Sequence, residues 1–132
     1  MEKAKTIAVN IAVIAVISVI LLWGNTLYRQ HVQFAKGEKA LAAGDTVAAI
    51  AGFESAIHMY TPASSLVDKA AEKLWSIGQE AEGRGNIPRA LIAYRSLRSS
   101  FYAVRGLTAP GSEWINRCEI KIDQLLKQPS KQ

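Results

Sequence analysis

The chain has 132 residues, a formal net charge of +5 and a single cysteine, Cys118. About a hundred residues suffice for one small domain, and one cysteine excludes an intramolecular disulfide framework. So modest a charge, in a chain without a recognised nucleic-acid-binding motif, argues against nucleic acid as a partner.

Residues 1–5 form a short basic lead, with Lys3 and Lys5 against one acid, Glu2. Residues 6–24 follow, and from Ile7 to Trp23 they carry no charge and only two polar side chains, Asn10 and Ser18. As a helix rising ~1.5 Å per residue this run covers ~26 Å, close to the ~30 Å hydrocarbon core of a bilayer. It has no face for water, so we read it as a transmembrane helix anchored through Ile7, Ala8, Ala12, Ala15, Leu21, Leu22 and Trp23. Trp23 and Tyr28 fall where interfacial aromatics belong, and Arg29 follows. A cleaved signal peptide is the competing reading. The run exceeds the roughly 7–15 residues usual there, and Leu22-Trp23-Gly24-Asn25-Thr26 lacks a small-x-small exit. Lys3 and Lys5 just before the span place the N terminus inside, as in a signal anchor. In a bacterium this means a single-pass inner-membrane protein with its C-terminal domain periplasmic. Arg29, Lys36 and Lys39 nearly balance that count from the other side. Ala8, Ala12 and Ala15 also share one side at a spacing that lets two such helices pack, which makes self-association one expectation.

Residues 25–128 read as an all-α domain. Gly24-Asn25-Thr26 leaves open whether the anchor helix breaks or runs on into Leu27–Ala43. Gly44 is a good helix terminator and Asp45 a good cap for a second helix, whose apolar positions Val47, Ile50, Phe53, Ala56 and Ile57 keep the helical period. That helix ends near Tyr60, before Pro62. Ser64 or Ser65 can start a third, with Asp68 completing a capping box on Ser65 and a stripe of Leu66, Ala70, Leu74, Ile77 and Ala81. After Gly83-Arg84-Gly85, Asn86 caps a fourth with Ala90, Leu91, Tyr94, Leu97, Phe101 and Val104 on one face. A fifth begins between Thr108 and Ser112 and carries Ile115, Cys118, Ile122 and Leu125, leaving 129–132 as a polar tail. On that stripe Cys118 reads as a small core residue. Residues 28–83 have a net charge of −2 and residues 84–132 one of +6. This polarity suits a solvated surface, head-to-tail self-association or an approach to anionic headgroups.

The chain repeats itself at a distance of 41 residues. Gly44 aligns with Gly85, Asp45 with Asn86, Ala49 with Ala90, Ile50 with Leu91 and Phe53 with Tyr94, and upstream Gly37 aligns with Gly78 and Ala40 with Ala81. The pattern resembles the tetratricopeptide repeat, a helical hairpin of about 34 residues. Gly37, Gly44, Ala49, Phe53 and Ala56 match in a first unit of about 30–63, and Gly78, Gly85, Ala90 and Tyr94 in a second of about 71–104. The longer period adds seven residues, Ala63 to Lys69, and Gln33 and Lys36 stand where the family prefers large apolar residues. The fold implied is an N-terminal transmembrane helix followed by a tetratricopeptide-like hairpin array, with a capping helix at about 110–127.

The resemblance also implies a concave groove for a protein partner, lined by the first helix of each pair. Its positions here are His31, Phe34, Glu38 and Leu41, then Glu72, Trp75, Gln79 and Glu82. Phe34 and Trp75 would form an aromatic floor between acidic rims, or else simply pack in the core. Arg95, Arg98 and Arg105, with Tyr102, suggest a basic face on the fourth helix. No activated nucleophile, phosphate loop or metal-ligand spacing stands out, His31 and His58 being far apart, so we expect no catalysis, metal, cofactor or small-molecule ligand. The function expected is a membrane-anchored protein-interaction module: an adaptor, scaffold or assembly factor. The alternative is a permanent accessory subunit of a larger membrane assembly.

Overall fold

The computed structural model describes residues 1–62 and 64–128; Ala63 and the 129–132 tail, both named above, lie outside the described residues. The described chain is all-helical: α1 (Glu2–Ala42), α2 (Thr46–His58), α3 (Leu66–Gly83), α4 (Ile87–Ala103) and α5 (Ser112–Lys127).

The question left open at Gly24 is resolved, because α1 is one helix of 41 residues. Gly24 lowers helix propensity by ~1 kcal/mol relative to alanine, but no proline follows to remove a donor. The Thr26 hydroxyl donates back to the Leu22 carbonyl at 2.9 Å and stays within the helical ladder. Every residue before Thr26 is exposed and packs on nothing. This half is long and apolar enough to cross a membrane. From Thr26 onward the same helix lies against α2, burying Gln30 and Gly37.

α1–α2 and α3–α4 are helical hairpins built alike. Gly44 and Gly85 take φ of +79° and +75°, a left-handed conformation that glycine adopts without a Cβ penalty. Each ends its helix with the same pair of backbone bonds. Gly44 N donates to Leu41 O and Asp45 N to Ala40 O, as Gly85 N does to Glu82 O and Asn86 N to Ala81 O. These are Schellman closures. Asp45 Oδ1 then accepts from Ala48 N at 3.1 Å, and Asn86 Oδ1 from Arg89 N at 3.2 Å, so each new helix starts capped.

α3 starts differently from one expectation. Ser65 is already helical in its backbone and its side chain caps nothing, so no capping box with Asp68 forms. Ser64 serves instead: its Oγ accepts from Leu66 N at 3.3 Å and donates to Gln30 Oε1. Gln30 Nε2 donates to the Ala56 and Met59 carbonyls at 3.0 and 3.2 Å. One buried amide on α1 thus satisfies the end of α2 and the connector into α3.

One core runs through α2–α5, with Phe53, Ile57, Leu74, Tyr94, Leu97, Phe101, Ile115 and Cys118 all within 2% of complete burial. α1 adds only partly buried Phe34, Ala40 and Leu41. α5 packs on α4 and closes the far edge of the array.

Candidate partner-binding face

The aligned residues place two aromatic pairs in equivalent settings. Gly37 leaves room for the Phe53 ring and Gly78 for the Tyr94 ring; a Cβ on either glycine would lie 2.9 Å or 2.5 Å from that ring. Phe34 packs edge-on to Phe53 with centroids 5.4 Å apart, and Trp75 tilts onto Tyr94 at 5.0 Å. Phe34 and Trp75 are both half-buried, so each is at once a piece of the packing and a part of the surface.

Around them, His31, Glu38, Glu72 and Gln79 are exposed and Leu41 is half-buried. Glu38 lies 3.9 Å from Lys73, a loose ion pair across α1 and α3. Glu82 does not stand free on a rim. Lys121 Nζ donates to both of its carboxylate oxygens at 3.0 and 3.1 Å, and the Tyr94 hydroxyl donates to Oε2 at 3.0 Å. The carboxylate therefore ties α3, α4 and α5 together, and the rim is mixed in charge rather than acidic. Burial first, and the Glu82 carboxylate second, hold the Tyr94 hydroxyl well above the usual phenol range.

α5 supplies what the sequence reading of this face missed. Arg117 places its guanidinium 4.4 Å from the Trp75 ring centroid and 4.6 Å from that of Trp114, and the two indoles sit 6.1 Å apart. A cation held over two indoles gains from both quadrupoles. Trp114 and Arg117 are three residues apart, a helical spacing that puts them on one face and signals the pair in sequence. Their meeting with Trp75 depends on how α5 docks, which spacing does not encode.

The basic face is not continuous. Arg95 is exposed on α4 and Arg98 half-buried, whereas Arg105 lies beyond the helix end at Ala103, because Val104 leaves helical geometry. Its guanidinium sits 4.7 Å above the Tyr102 ring. The Tyr102 hydroxyl donates to Glu119 at 2.8 Å, and that bond, first among its causes, raises its pKa. Cys118 is free and buried, and burial pushes its thiol up to about 12.

Ile7, Ala8, Ala12, Ala15, Leu21, Leu22 and Trp23, read above as the anchor, are all exposed along the free half of α1. Among the described residues no three His, Cys, Asp or Glu side chains converge as a metal site would require. A half-open cleft of about 390 Å³ lies between the α2–α3 and α4–α5 connectors, with Tyr60, Thr61, Asp68, Phe101 and Pro110 in its wall. No family model matches the chain, and neither does any curated protein or solved structure.

Proposed function

We propose that this chain is a single-pass membrane protein, and that its domain is a short tetratricopeptide-like array holding a protein partner close to the bilayer as an adaptor or assembly factor. One observation carries the reading. α1 is a continuous rod whose apolar half touches nothing in the domain, while its other half is the first helix of the repeated hairpins. A partner held on the α1–α3 face is thereby confined near the membrane, which raises its effective concentration without any new contact. The equivalent settings of Phe34 and Trp75 support the face itself, since half-buried aromatics on rigid helices lose little entropy on binding. The bacterial inner membrane with the domain in the periplasm is the location we favour, from Lys3 and Lys5 before the span.

The test is photo-crosslinking of the intact protein in its native membrane with a reactive residue in place of exposed Gln79. We expect one discrete partner, lost when Glu72→Lys and His31→Glu are introduced and retained in Arg95→Glu on α4. Capture of no protein, or only of further copies of this chain, overturns the adaptor reading.

A further inference from the structure

We propose that the α4–α5 connector rests on the surface of the bilayer, with Leu107 as an apolar foot in the headgroup layer, giving the domain a second membrane contact beside α1. The proposal rests on the reading of α1 as a membrane span.

The chain path sets the level of the connector. α1 runs away from the span and α2 returns. Gln30 fastens the last carbonyls of α2 to its own height on α1. α3 runs out again and α4 back, and Phe101 near its end shares a cleft with Tyr60 and Thr61 of the α2–α3 connector and Pro110 of the next. Both connectors therefore lie at the end of the domain from which the apolar half of α1 emerges. Gln30 is seven residues from Trp23, or ~10 Å at ~1.5 Å per residue. With Trp23 at the hydrocarbon boundary, a headgroup layer of ~5–8 Å reaches most of the way to that level.

The connector is shaped for such a contact. Leu107 is completely exposed, at 108% of its reference area, whereas no other large apolar side chain of the domain exceeds the 71% of Val47. Nor is it a loose residue. Gly106 N donates to Thr108 O at 3.0 Å and closes the backbone around Leu107, and Phe101 packs against Gly111 at the base of the loop. Gly111, with φ of +74°, turns the chain there into α5. Residues 99–112 contain no acid, and Arg105 stands two positions from Leu107, stacked on exposed Tyr102. A cation, an aromatic and a protruding leucine are what an interfacial contact uses. The first turns of α3 and α5 bring Asp68 and Glu113 to the same end, and Glu119 accepts from the Tyr102 hydroxyl, against Arg29, Lys69 and Arg105. Formal charge there is nearly balanced, so apolar contact leads and dependence on anionic lipid is expected to be weak.

The experiment uses the full chain, one copy per lipid nanodisc, so that a second copy is excluded as the occupant. A fluorophore is placed on Leu107→Cys, on Ile14→Cys within the apolar half of α1 and on Val47→Cys at the far end of the domain. Cys118 is buried, and wild-type protein serves as the labelling control. The lipid carries a quencher at the top of the acyl chain in one preparation and near its end in a second, so that the headgroup boundary and the depth of position 14, ~13 Å below Trp23, are both sampled. We expect strong loss of fluorescence at position 14, clear loss at 107 and none at 47. Quenching at 14 with position 107 as bright as 47 overturns the second contact and leaves the span intact. An unquenched label at 14 overturns the span, and the proposal with it.

Discussion

At the residue scale, α1 and α2 meet backbone to backbone at two glycines. A Cβ built on Gly52 would lie 2.7 Å from both Cα and N of Gly37, which is backbone and unable to rotate aside. Replacing glycine by alanine inside a helix normally gains ~1 kcal/mol, whereas overpacking a tight contact costs typically ~1–3 kcal/mol. At Gly52 the second effect prevails, because α1 and α2 must separate. At Gly24 nothing lies within 4 Å and the first prevails. Gly52→Ala is therefore expected to destabilise the intact protein in detergent by ~1–3 kcal/mol, and Gly24→Ala to leave it unchanged or slightly stabilised. Chemical denaturation of the two variants measures the contrast. Gly37 was legible from the sequence, since the 41-residue alignment pairs it with Gly78. Gly52 was not, because the same offset pairs it with Ala93. The first hairpin is closer at that point than the second, and no repeat pattern announces it.

At the scale of elements, α2–α5 were legible, and so were the turns after α1 and α3, because a glycine followed by Asp or Asn specifies a closure and a cap together, whereas the continuity of α1 across Gly24 was not. The start of α3 was less legible: Ser64 and Ser65 are chemically equal, and only Gln30 on a distant helix selects Ser64. Of the candidate face, the sequence could name residues on α1 and α3 but not those that α5 brings to it. Lys121 reaching Glu82, and Arg117 reaching Trp75, are tertiary facts. The α3–α4–α5 junction has a consequence for pH. Tyr94 and Cys118 are acids whose folded pKa values lie above their ordinary values of 10.0 and 9.0, mainly through burial. The folded protein thus holds these protons more tightly than the unfolded chain. The stability this confers is complete below the unfolded pKa values and is lost as pH rises through the folded ones. The denaturation midpoint should be level from neutrality to about pH 8 and fall increasingly above it. A Tyr94→Phe, Cys118→Ala double variant should start from a lower midpoint, having lost a hydrogen bond worth ~0.5–1.5 kcal/mol and some packing, yet decline less steeply with pH. An equal slope in both proteins would mean that other groups set the alkaline limit.

At the scale of the whole molecule, α1 belongs to two structures at once. Its second half is the first helix of the domain, but that half contributes no large, fully buried apolar side chain: only Gln30 and Gly37 are buried on it. The core proper is enclosed by α2–α5, and the residues before Thr26 add no contact to it. Cooperative stability of the domain should therefore not depend on the apolar half, although the first turn of a shortened helix leaves its N–H groups unpaired. Those groups would face water, since Asn25 is exposed and Thr26 only half-covered, so their loss of helical partners is compensated by solvent. A chain beginning at residue 25 is then expected to fold as a water-soluble helical domain, melting within about 4 °C of the intact protein, a shift corresponding to less than ~1 kcal/mol at this size. Circular dichroism melting of the two proteins in the same mild detergent makes the comparison. A much lower melting temperature for the shortened chain would mean that α1 transmits rigidity from its apolar half into the hairpins. In that case the junction at Gly24 couples the two halves, and Gly24→Pro should disrupt the domain as well as the helix.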